Sequence, residues 1–188
     1  SMLQDGGVVA CGPGLGQGEW GSVLFDRVLD SGRSLVLDAD ALNLLAIAPR
    51  PVADAILTPH PGEAARLLGT DIATVQRDRL AAAMALVDRY ASTVVLKGAG
   101  TIIAAPGQLP CLLAAGNPGM PTGGMGSLLP GVMAAMRAQG LPAFEAASAG
   151  ALLHGLAGDA AAAQGGQRGL LPSDLLPWLH RHANPEEN

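Results

Sequence analysis

Residues 116–131, GNPGMPTGGMGSLLPG, place six glycines and three prolines directly before an apolar segment. Glycines at a helix start let several backbone N–H groups point at one spot, where the helix dipole also favours an anion. Gly124 and Gly126 could therefore hold a phosphate group, although a flexible turn packed closely on a sheet would use the same residues. The loop matches neither a P-loop nor the dinucleotide fingerprint, and it offers only Ser127 where a carboxylate base would be useful.

Two further segments carry ionisable side chains that suit phosphate chemistry. In LKGAGT, Lys97 could neutralise a phosphate or be a solvated lysine at the end of a strand. In HPGE, Glu63 falls in the first turn of a predicted helix, where a carboxylate is favoured in any case, but it could also hold Mg²⁺ through water. His60 could contact a ligand or exchange a proton, although a single histidine is more often structural.

A pair of aspartates lies in the segment LDADALN. Asp38 and Asp40 could act together as an acid and a base, or they could cap the helix that contains Asn43. For Asp40, capping is the expected role. Both aspartates follow a strand-like run, as do the glycine loop at 12–16 and the segments described above.

Short runs rich in β-branched residues alternate with helical patterns along the chain. Strands are predicted at 8–11, 34–40, 55–60, 93–98, 101–106 and around 111–114. Helices are predicted at 19–29, 41–48, 61–68, 74–91, 124–139 and 143–163, and from an N-cap at Ser173. This alternation indicates an α/β fold with a doubly wound, mostly parallel sheet and helices on both faces. Ligands bind such sheets at the carboxyl ends of the strands, where the candidate segments fall.

The composition excludes several other classes of protein. With 188 residues, 49% apolar and 14% charged, the chain predicts a single folded domain over 1–188. A net charge of −5 and only two Trp, two Phe and one Tyr disfavour a nucleic-acid partner, and no apolar run is long enough for a membrane helix. Cys11 and Cys111 are expected to be small buried residues without a disulfide, in a reducing cytoplasm.

Five segments occur in an order that is more specific than any one of them alone: GPGLG, LDADALN, TPHPGEAARLLG, VLKGAGT and GNPGMPTGGMG. Together they resemble the NAD(P)H-hydrate dehydratases, and the resemblance runs from Val8 to beyond Asp174. It implies a ribokinase-like α/β fold and repair of hydrated NADH or NADPH driven by ADP or ATP with Mg²⁺. In that chemistry the 6-hydroxyl of the hydrated ring is phosphorylated, and loss of phosphate restores the cofactor. The family domain is often fused behind an NAD(P)H-hydrate epimerase domain.

The resemblance also implies roles for individual residues. Gly14 and His60 match contacts to the hydrated cofactor, and Glu63 matches the position that organises Mg²⁺ in an Asn-x-x-Glu box, with His60 in place of the Asn. The positions that match the adenine-nucleotide and phosphate site are Lys97, Gly98, Ala99, Gly100, Thr101, Gly124 and Gly126.

The chain departs from the family pattern at Ser127, where the family has its catalytic Asp. A serine hydroxyl is not ionised near neutral pH, and loss of a general base costs about 10²–10⁴-fold in rate. This substitution is compatible with an impaired dehydratase, with a noncatalytic nucleotide-binding relative, or with a kinase of another small alcohol. Pro130 is a second anomaly, because it removes a backbone donor from the predicted helix and could kink it.

The beginning of the chain also differs from the family pattern. Ser1 and Met2 are interpreted as a cloning remnant, and the family's strands and helices before the Val8 strand are expected to be missing. A strand without its sheet neighbour leaves an unpaired edge and uncovered apolar surface. The sequence therefore predicts self-association into a homo-oligomer.

Overall fold

A computed structural model of the chain describes residues 7–184, which form one mixed sheet covered by helices on both faces. The strands are β1 (Val8–Cys11), β2 (Ser34–Leu37), β3 (Ile56–Leu57), β4 (Thr93–Leu96), β5 (Thr101–Ala104) and β6 (Cys111–Leu113). The helices are α1 (Glu19–Leu29), α2 (Ala39–Ile47), α3 (Pro61–Leu68), α4 (Ile72–Arg77), α5 (Arg79–Tyr90), α6 (Met125–Ala138), α7 (Ala143–Gly165) and α8 (Pro172–Ala183). Ser1 and Met2, interpreted above as a cloning remnant, lie outside the described residues.

The six strands follow one another in space in the same order as in the chain. β1 to β4 pair in parallel, whereas β5 and β6 add antiparallel pairings at one side. The predicted mostly parallel α/β sheet is therefore confirmed, as is the hairpin-like excursion after β4. Because neighbouring parallel strands end on the same edge, the residues that follow β1, β2, β3 and β4 are brought together there.

Alternating side chains of the strands divide the core into two layers. Leu35, Leu37, Val94 and Leu96 pack with buried residues of α1, α2, α3 and α5 on one face. Side chains of β2, β3, β4 and β5 that point the other way pack with α6 and α7 on the opposite face: Val36, Ile56, Val95 and Ile103. Because successive side chains of a strand point to opposite faces, this alternation determines which helices each side chain meets. It thereby determines the face of the sheet on which α6 packs.

Several strands are shorter than predicted. β2 ends at Leu37, β3 has two residues and β4 ends at Leu96. The reason is visible after β2, where Ala39 has a positive φ of 47° and α2 begins at once, so the extended chain cannot continue. Polar residues consequently occupy the positions directly beyond the strand ends.

Two helix predictions are wrong in detail. The predicted helix at 74–91 is divided into α4 and α5 at Asp78, which has a non-helical backbone (φ −144°, ψ 87°) and whose carboxylate accepts a hydrogen bond from the Ala81 N–H at 2.9 Å. α8 begins at Pro172 with Leu171 as its N-cap, and not after Ser173, because the fixed φ of proline suits the first helical position. The helix predicted at 124–139 is confirmed as α6, which continues through the buried Pro130.

Candidate functional site

Three polar residues meet where neighbouring parallel strands end. Asp38 follows β2, Thr58 follows β3 and Lys97 follows β4. The Asp38 Oδ1 atom accepts a hydrogen bond from the Thr58 hydroxyl at 2.8 Å and lies 2.6 Å from the Lys97 ammonium. The Asp38 side chain is only 3% exposed and that of Lys97 is 18% exposed. Lys97 is therefore a half-buried, paired cation, and its interpretation as a solvated strand-end lysine is wrong.

The Lys97 ammonium also lies at the start of α6. A Cβ atom built on Gly126 would be 3.5 Å from the Lys97 Nζ, and the Glu63 Oε2 atom is 4.0 Å from the same nitrogen. One ammonium thus stands between two carboxylates and the first turn of a helix. The fold brings together three segments that lie far apart in the sequence: the HPGE segment, the LKGAGT segment and the glycines 123–126 at the start of α6.

The first turn of α6 has the features of an anion-binding helix start. Gly124 is its N-cap with φ 84°, a left-handed conformation that favours glycine. Among the residues that the structure describes, no side chain caps this turn, and the turn contains no acidic residue. Backbone carbonyls accept from the Met125 and Ser127 N–H groups at 3.2 and 3.1 Å. Within the described part of the chain this leaves the Gly126 N–H for an anion, with the helix dipole behind it and the Lys97 ammonium nearby.

Ser127 is the third residue of α6 and is exposed. The Ser127 N–H donates a hydrogen bond to the Gly124 carbonyl oxygen at 3.1 Å, within the first turn of the helix. Because the first turn of α6 contains no carboxylate, no neighbouring residue within that turn replaces the acid that the family pattern places at Ser127.

His60 and Glu63 form the N-terminal cap of α3. The His60 Nδ1 atom accepts hydrogen bonds from the Gly62 and Glu63 N–H groups at 3.0 and 3.3 Å, while the Glu63 Oε2 atom accepts from the His60 N–H at 2.8 Å. This reciprocal capping box commits Nδ1 as an acceptor. The Nε2 atom lies 3.4 Å from the Glu63 Oε1 atom, so both ring nitrogens face groups of the cap, although the side chain is 50% exposed.

The side chains near Glu63 offer few direct ligands for a Mg²⁺ ion. Within residues 7–184, no three His, Cys, Asp or Glu side chains form a group that could enclose a metal. Glu63 is buried, shares one oxygen with the His60 N–H and faces Lys97. Such a carboxylate fits Mg²⁺ only through water, with phosphate oxygens as the direct ligands, which is a common arrangement for this ion.

The glycine loop after β1 is held by Asp40. One carboxylate oxygen of Asp40 accepts from the Gly16 N–H at 2.8 Å and the other from the Gln17 side-chain amide at 2.9 Å. The predicted capping role of Asp40 is therefore wrong, since Asp38 is the N-cap of α2 and its own carboxylate is used by Lys97 and Thr58. Gly14, at φ 72°, is exposed at the tip of this loop.

The loop before α6 is anchored by Asp159 of α7, which sequence reasoning missed. Its carboxylate accepts from the Gly116 N–H at 2.9 Å and from the Asn117 side-chain amide at 3.0 Å. The Asn117 side-chain oxygen in turn accepts from the Gly119 N–H at 3.0 Å. No local pattern indicated this contact, because the partners are 42 and 43 residues apart.

His154 is a second missed residue, buried on α7 beneath the start of α6. Its Nε2 atom lies 3.1 Å from the Met125 carbonyl oxygen, which can only accept, so Nε2 carries a proton and donates. Burial is the main cause that lowers the pKa of His154 from its ordinary value of 6.5, and the Lys97 charge acts in the same direction. The Met125 hydrogen bond opposes this shift.

His154 gives the first prediction. Because its folded-state pKa lies below its unfolded-state value, the unfolded chain binds the proton more readily, and stability falls as the pH drops through and below 6.5. We expect the free energy of unfolding to fall less between about pH 7.5 and 5.5 in His154→Gln, whose amide can still donate to Met125. Urea unfolding at both pH values measures this. His180→Gln, at an exposed position of α8, is the control, and an equal acid loss in wild type and His154→Gln would contradict the prediction.

No helix within residues 7–184 combines the length and apolar character needed to span a membrane.

Both cysteines are free, but Cys111 is exposed on the outermost strand β6, so only Cys11 meets the expectation of burial.

The fold and the strand-end site define an α/β protein of the ribokinase-like class. A ribokinase-like superfamily protein from Enterococcus faecalis superposes with a TM-score of 0.81 at 31% identity, covering 92% of this chain and 61% of that one. The NAD(P)H-hydrate dehydratase family matches residues 1–181, and the chain belongs to that family.

Individual relatives agree with this assignment. The chain is 49% identical over 184 residues to a bifunctional NAD(P)H-hydrate repair enzyme of Coxiella burnetii, which covers 98% of this chain and 38% of that protein. An ADP/ATP-dependent NAD(P)H-hydrate dehydratase from Bacillus subtilis, co-crystallised with ATP and Mg²⁺, superposes with a TM-score of 0.84 at 30% identity. That superposition covers 96% of this chain and 67% of that one. The chain thus spans less than two-fifths of the length of the bifunctional relative.

Proposed function

We propose that this chain carries out the ADP- or ATP-dependent dehydration of (6S)-NAD(P)H hydrate to NAD(P)H. The observation that carries the proposal is the position of the Lys97 ammonium. Lys97 directly follows β4, and its ammonium lies beside Gly126 at a helix start that has no side-chain cap. A phosphoryl group at this point would meet both the ammonium and the Gly126 N–H, with the dipole of α6 behind it. The family membership and the ATP and Mg²⁺ named for the Bacillus subtilis relative support the same reaction.

The proposed reaction has two steps. The phosphoryl group of the nucleotide passes to the 6-hydroxyl of the hydrated ring, and the hydroxyl proton leaves to a base. Loss of inorganic phosphate from that carbon, and of a proton from its neighbour, then restores the ring double bond. Lys97 and the first turn of α6 are suited to bear the negative charge on the phosphoryl group in the first step.

Other residues take their proposed roles from their places around this point. The 97–101 turn binds the nucleotide, and Gly124 and Gly126 bind its phosphates. Gly14 and the exposed part of the His60 side chain contact the hydrated cofactor. Mg²⁺ bound with the nucleotide would neutralise phosphate charge, with Glu63 holding its water ligands.

Ser127 supports a second candidate, a nucleotide-binding relative with little or no dehydratase activity. The hydroxyl of Ser127 is a poor proton acceptor, and the first turn of α6 offers no carboxylate in its place. Phosphoryl transfer to another small alcohol is a third candidate under the same geometry. We propose that dehydration is retained but slowed by the substitution.

The proposal extends to partners and compartment. We propose that the hydrated cofactor reaches this domain from an epimerase domain of the same polypeptide, within a cytoplasmic protein. The name of the Coxiella burnetii relative, a bifunctional repair enzyme, supports a second activity on the same chain. The two free cysteines support a reducing compartment.

Within the described residues the outer side of β1 has no strand partner, and Trp20 is 70% exposed. Both features support a homo-oligomer, which sedimentation would measure.

One experiment separates the candidate functions. The full-length protein is incubated with NADH hydrate and either ADP or ATP, and NADH absorbance is followed while nucleotide binding is measured by calorimetry. We expect nucleotide binding with slow, nucleotide-dependent formation of NADH. Binding without turnover would favour the noncatalytic candidate, and phosphate transfer to another alcohol the kinase. Bound phosphates more than a few ångströms from the start of α6 in a structure would contradict the assigned site.

A further inference from the structure

Arg79, the first residue of α5, reaches beneath the 97–101 turn and gathers its carbonyl groups. Its Nη1 atom donates to the carbonyl oxygens of Ala99 and of Gly100, the latter at 2.9 Å. Its Nη2 atom donates to the carbonyl oxygens of Leu96 at 3.1 Å and Lys97 at 3.3 Å. One guanidinium therefore contacts four carbonyls at or beside the turn between β4 and β5.

These contacts determine which way the turn's N–H groups point. In a planar peptide unit, the C=O and the following N–H point in opposite directions. The units whose carbonyls face Arg79 therefore direct the N–H groups of Gly98, Gly100 and Thr101 away from the guanidinium. A run of N–H groups on one side of a turn is the arrangement that binds anionic oxygens.

The glycines of the turn make this close approach possible. Gly98 has φ 144° and Gly100 has φ 67°, both in the positive range that disfavours other residues. A Cβ atom on Gly98 would lie 2.9 Å from the Arg79 Nη2 atom. The guanidinium thus packs directly against the backbone of the turn, and a side chain at Gly98 would displace it.

The stability of α5 does not account for this position of Arg79. A cation in the first turn of a helix is unfavourable toward the helix dipole, and Asp78 already caps α5. Desolvation lowers the pKa of the Arg79 guanidinium, and its buried Nε atom has no hydrogen-bond partner among residues 7–184. The four carbonyl contacts offset the unfavourable helix dipole, the desolvation and the unpartnered Nε atom. All four are made to the 97–101 turn and the residue before it.

We propose that Arg79 is the positioning residue of the nucleotide site: it holds the 97–101 turn with its carbonyls inward and its N–H groups toward the nucleotide. This inference rests on the proposed function, in which that turn binds ADP or ATP. Arg79 touches no reacting atom, and it acts only through the turn. Its removal should therefore weaken nucleotide binding while leaving the affinity for the hydrated cofactor nearly unchanged.

The test uses the full-length protein with Arg79→Met and Arg79→Lys, and with Arg77→Met as the matched control, since Arg77 is an exposed cation at the end of the preceding helix. We expect Arg79→Met to raise the Kd for ADP about tenfold or more. Arg79→Lys keeps the charge but loses the fork of donors, and it should recover only part of the affinity. Amide hydrogen exchange at residues 98–101 should accelerate in Arg79→Met and not in Arg77→Met.

The outcomes separate the inference from the proposed function. ADP binding by wild type that is unchanged in Arg79→Met would overturn the inference alone. Failure of wild type to bind ADP or ATP would overturn the proposed function, and the inference with it. An equal loss of affinity for the hydrated cofactor would overturn the inference by indicating a general collapse of the site. If Arg79→Met does not fold, the same comparison is made with Arg79→Lys, for which an unchanged ADP Kd would again overturn it.

Discussion

Lys97→Met is expected to lower the free energy of unfolding by about 3 kcal/mol, because within residues 7–184 it leaves the buried Asp38 carboxylate with only the Thr58 hydroxyl as a side-chain partner. The desolvated charge, and not the loss of the lysine side chain itself, causes the destabilisation. The double variant Asp38→Asn/Lys97→Met removes that charge and should recover about 2 kcal/mol. Urea unfolding of the three proteins at neutral pH measures both effects.

The same pair of variants distinguishes stability from activity. The double variant lacks the ammonium beside Gly126, so under the proposed function its turnover should stay about 10²–10³-fold below wild type even where its stability recovers. Arg66→Met, which removes a more exposed cation hydrogen-bonded to Asn43, is the control and should change stability by about 0.5 kcal/mol or less. A double variant as unstable as Lys97→Met would show that the unpaired carboxylate is not the cause.

The periodic features of the molecule were predictable from the sequence. Alternation in β2 places Leu35 and Leu37 on one face and Val36 on the other, and such a pattern needs no knowledge of distant contacts. The order of elements, and the meeting of the polar segments at the carboxyl ends of the strands, follow from the parallel connections. The candidate residues Lys97, Glu63 and Gly126 were therefore brought to one edge as expected.

The roles of Asp40 and Arg79, which local patterns did not indicate, depend on contacts between residues far apart in the chain. Asp40 stands where a helix cap is common, but its carboxylate is used by the loop residues Gly16 and Gln17, more than twenty positions earlier. Arg79 resembles any surface arginine at a helix start until the turn 17 to 21 residues later is folded against it. A local pattern states which partners a side chain could accept, and the tertiary fold decides which one it receives.

Charge balance at the strand ends explains why these residues depend on one another. The two carboxylates of Asp38 and Glu63 lie 2.6 and 4.0 Å from a single ammonium, and the nearest helix start is uncapped. Asp38 holds Lys97 in place, while the open side of the ammonium lies toward Gly126. Two carboxylates on one ammonium already leave an excess of negative charge, so an incoming phosphate would rely on the helix start and on Mg²⁺ bound with the nucleotide as well as on Lys97. The stability of the pair depends on Asp38 and nucleotide binding on these other groups, so the two should be separable by mutation.

Ser127→Asp is expected to raise the rate of NADH-hydrate dehydration about a hundredfold or more in the full-length protein. Position 127 is in the first turn of α6, where the helix dipole and the Lys97 ammonium beside Gly126 both favour an ionised carboxylate. Such a carboxylate could accept the proton of the 6-hydroxyl as the phosphoryl group arrives, which the serine hydroxyl does poorly. Nucleotide affinity should change little, because the 97–101 turn and the glycines of the helix start are untouched.

Ser127→Asn is the matched control for this prediction, because it has nearly the size of Asp and can hydrogen-bond the substrate but cannot take its proton. Turnover of NADH hydrate with saturating ADP or ATP is compared for wild type, Ser127→Asn and Ser127→Asp, with the nucleotide Kd measured alongside. A gain confined to Ser127→Asp, at unchanged nucleotide Kd, is the signature of a restored base. Equal rates for wild type and Ser127→Asp would instead mean that the proton leaves to a group other than residue 127, so that the serine had cost the reaction nothing.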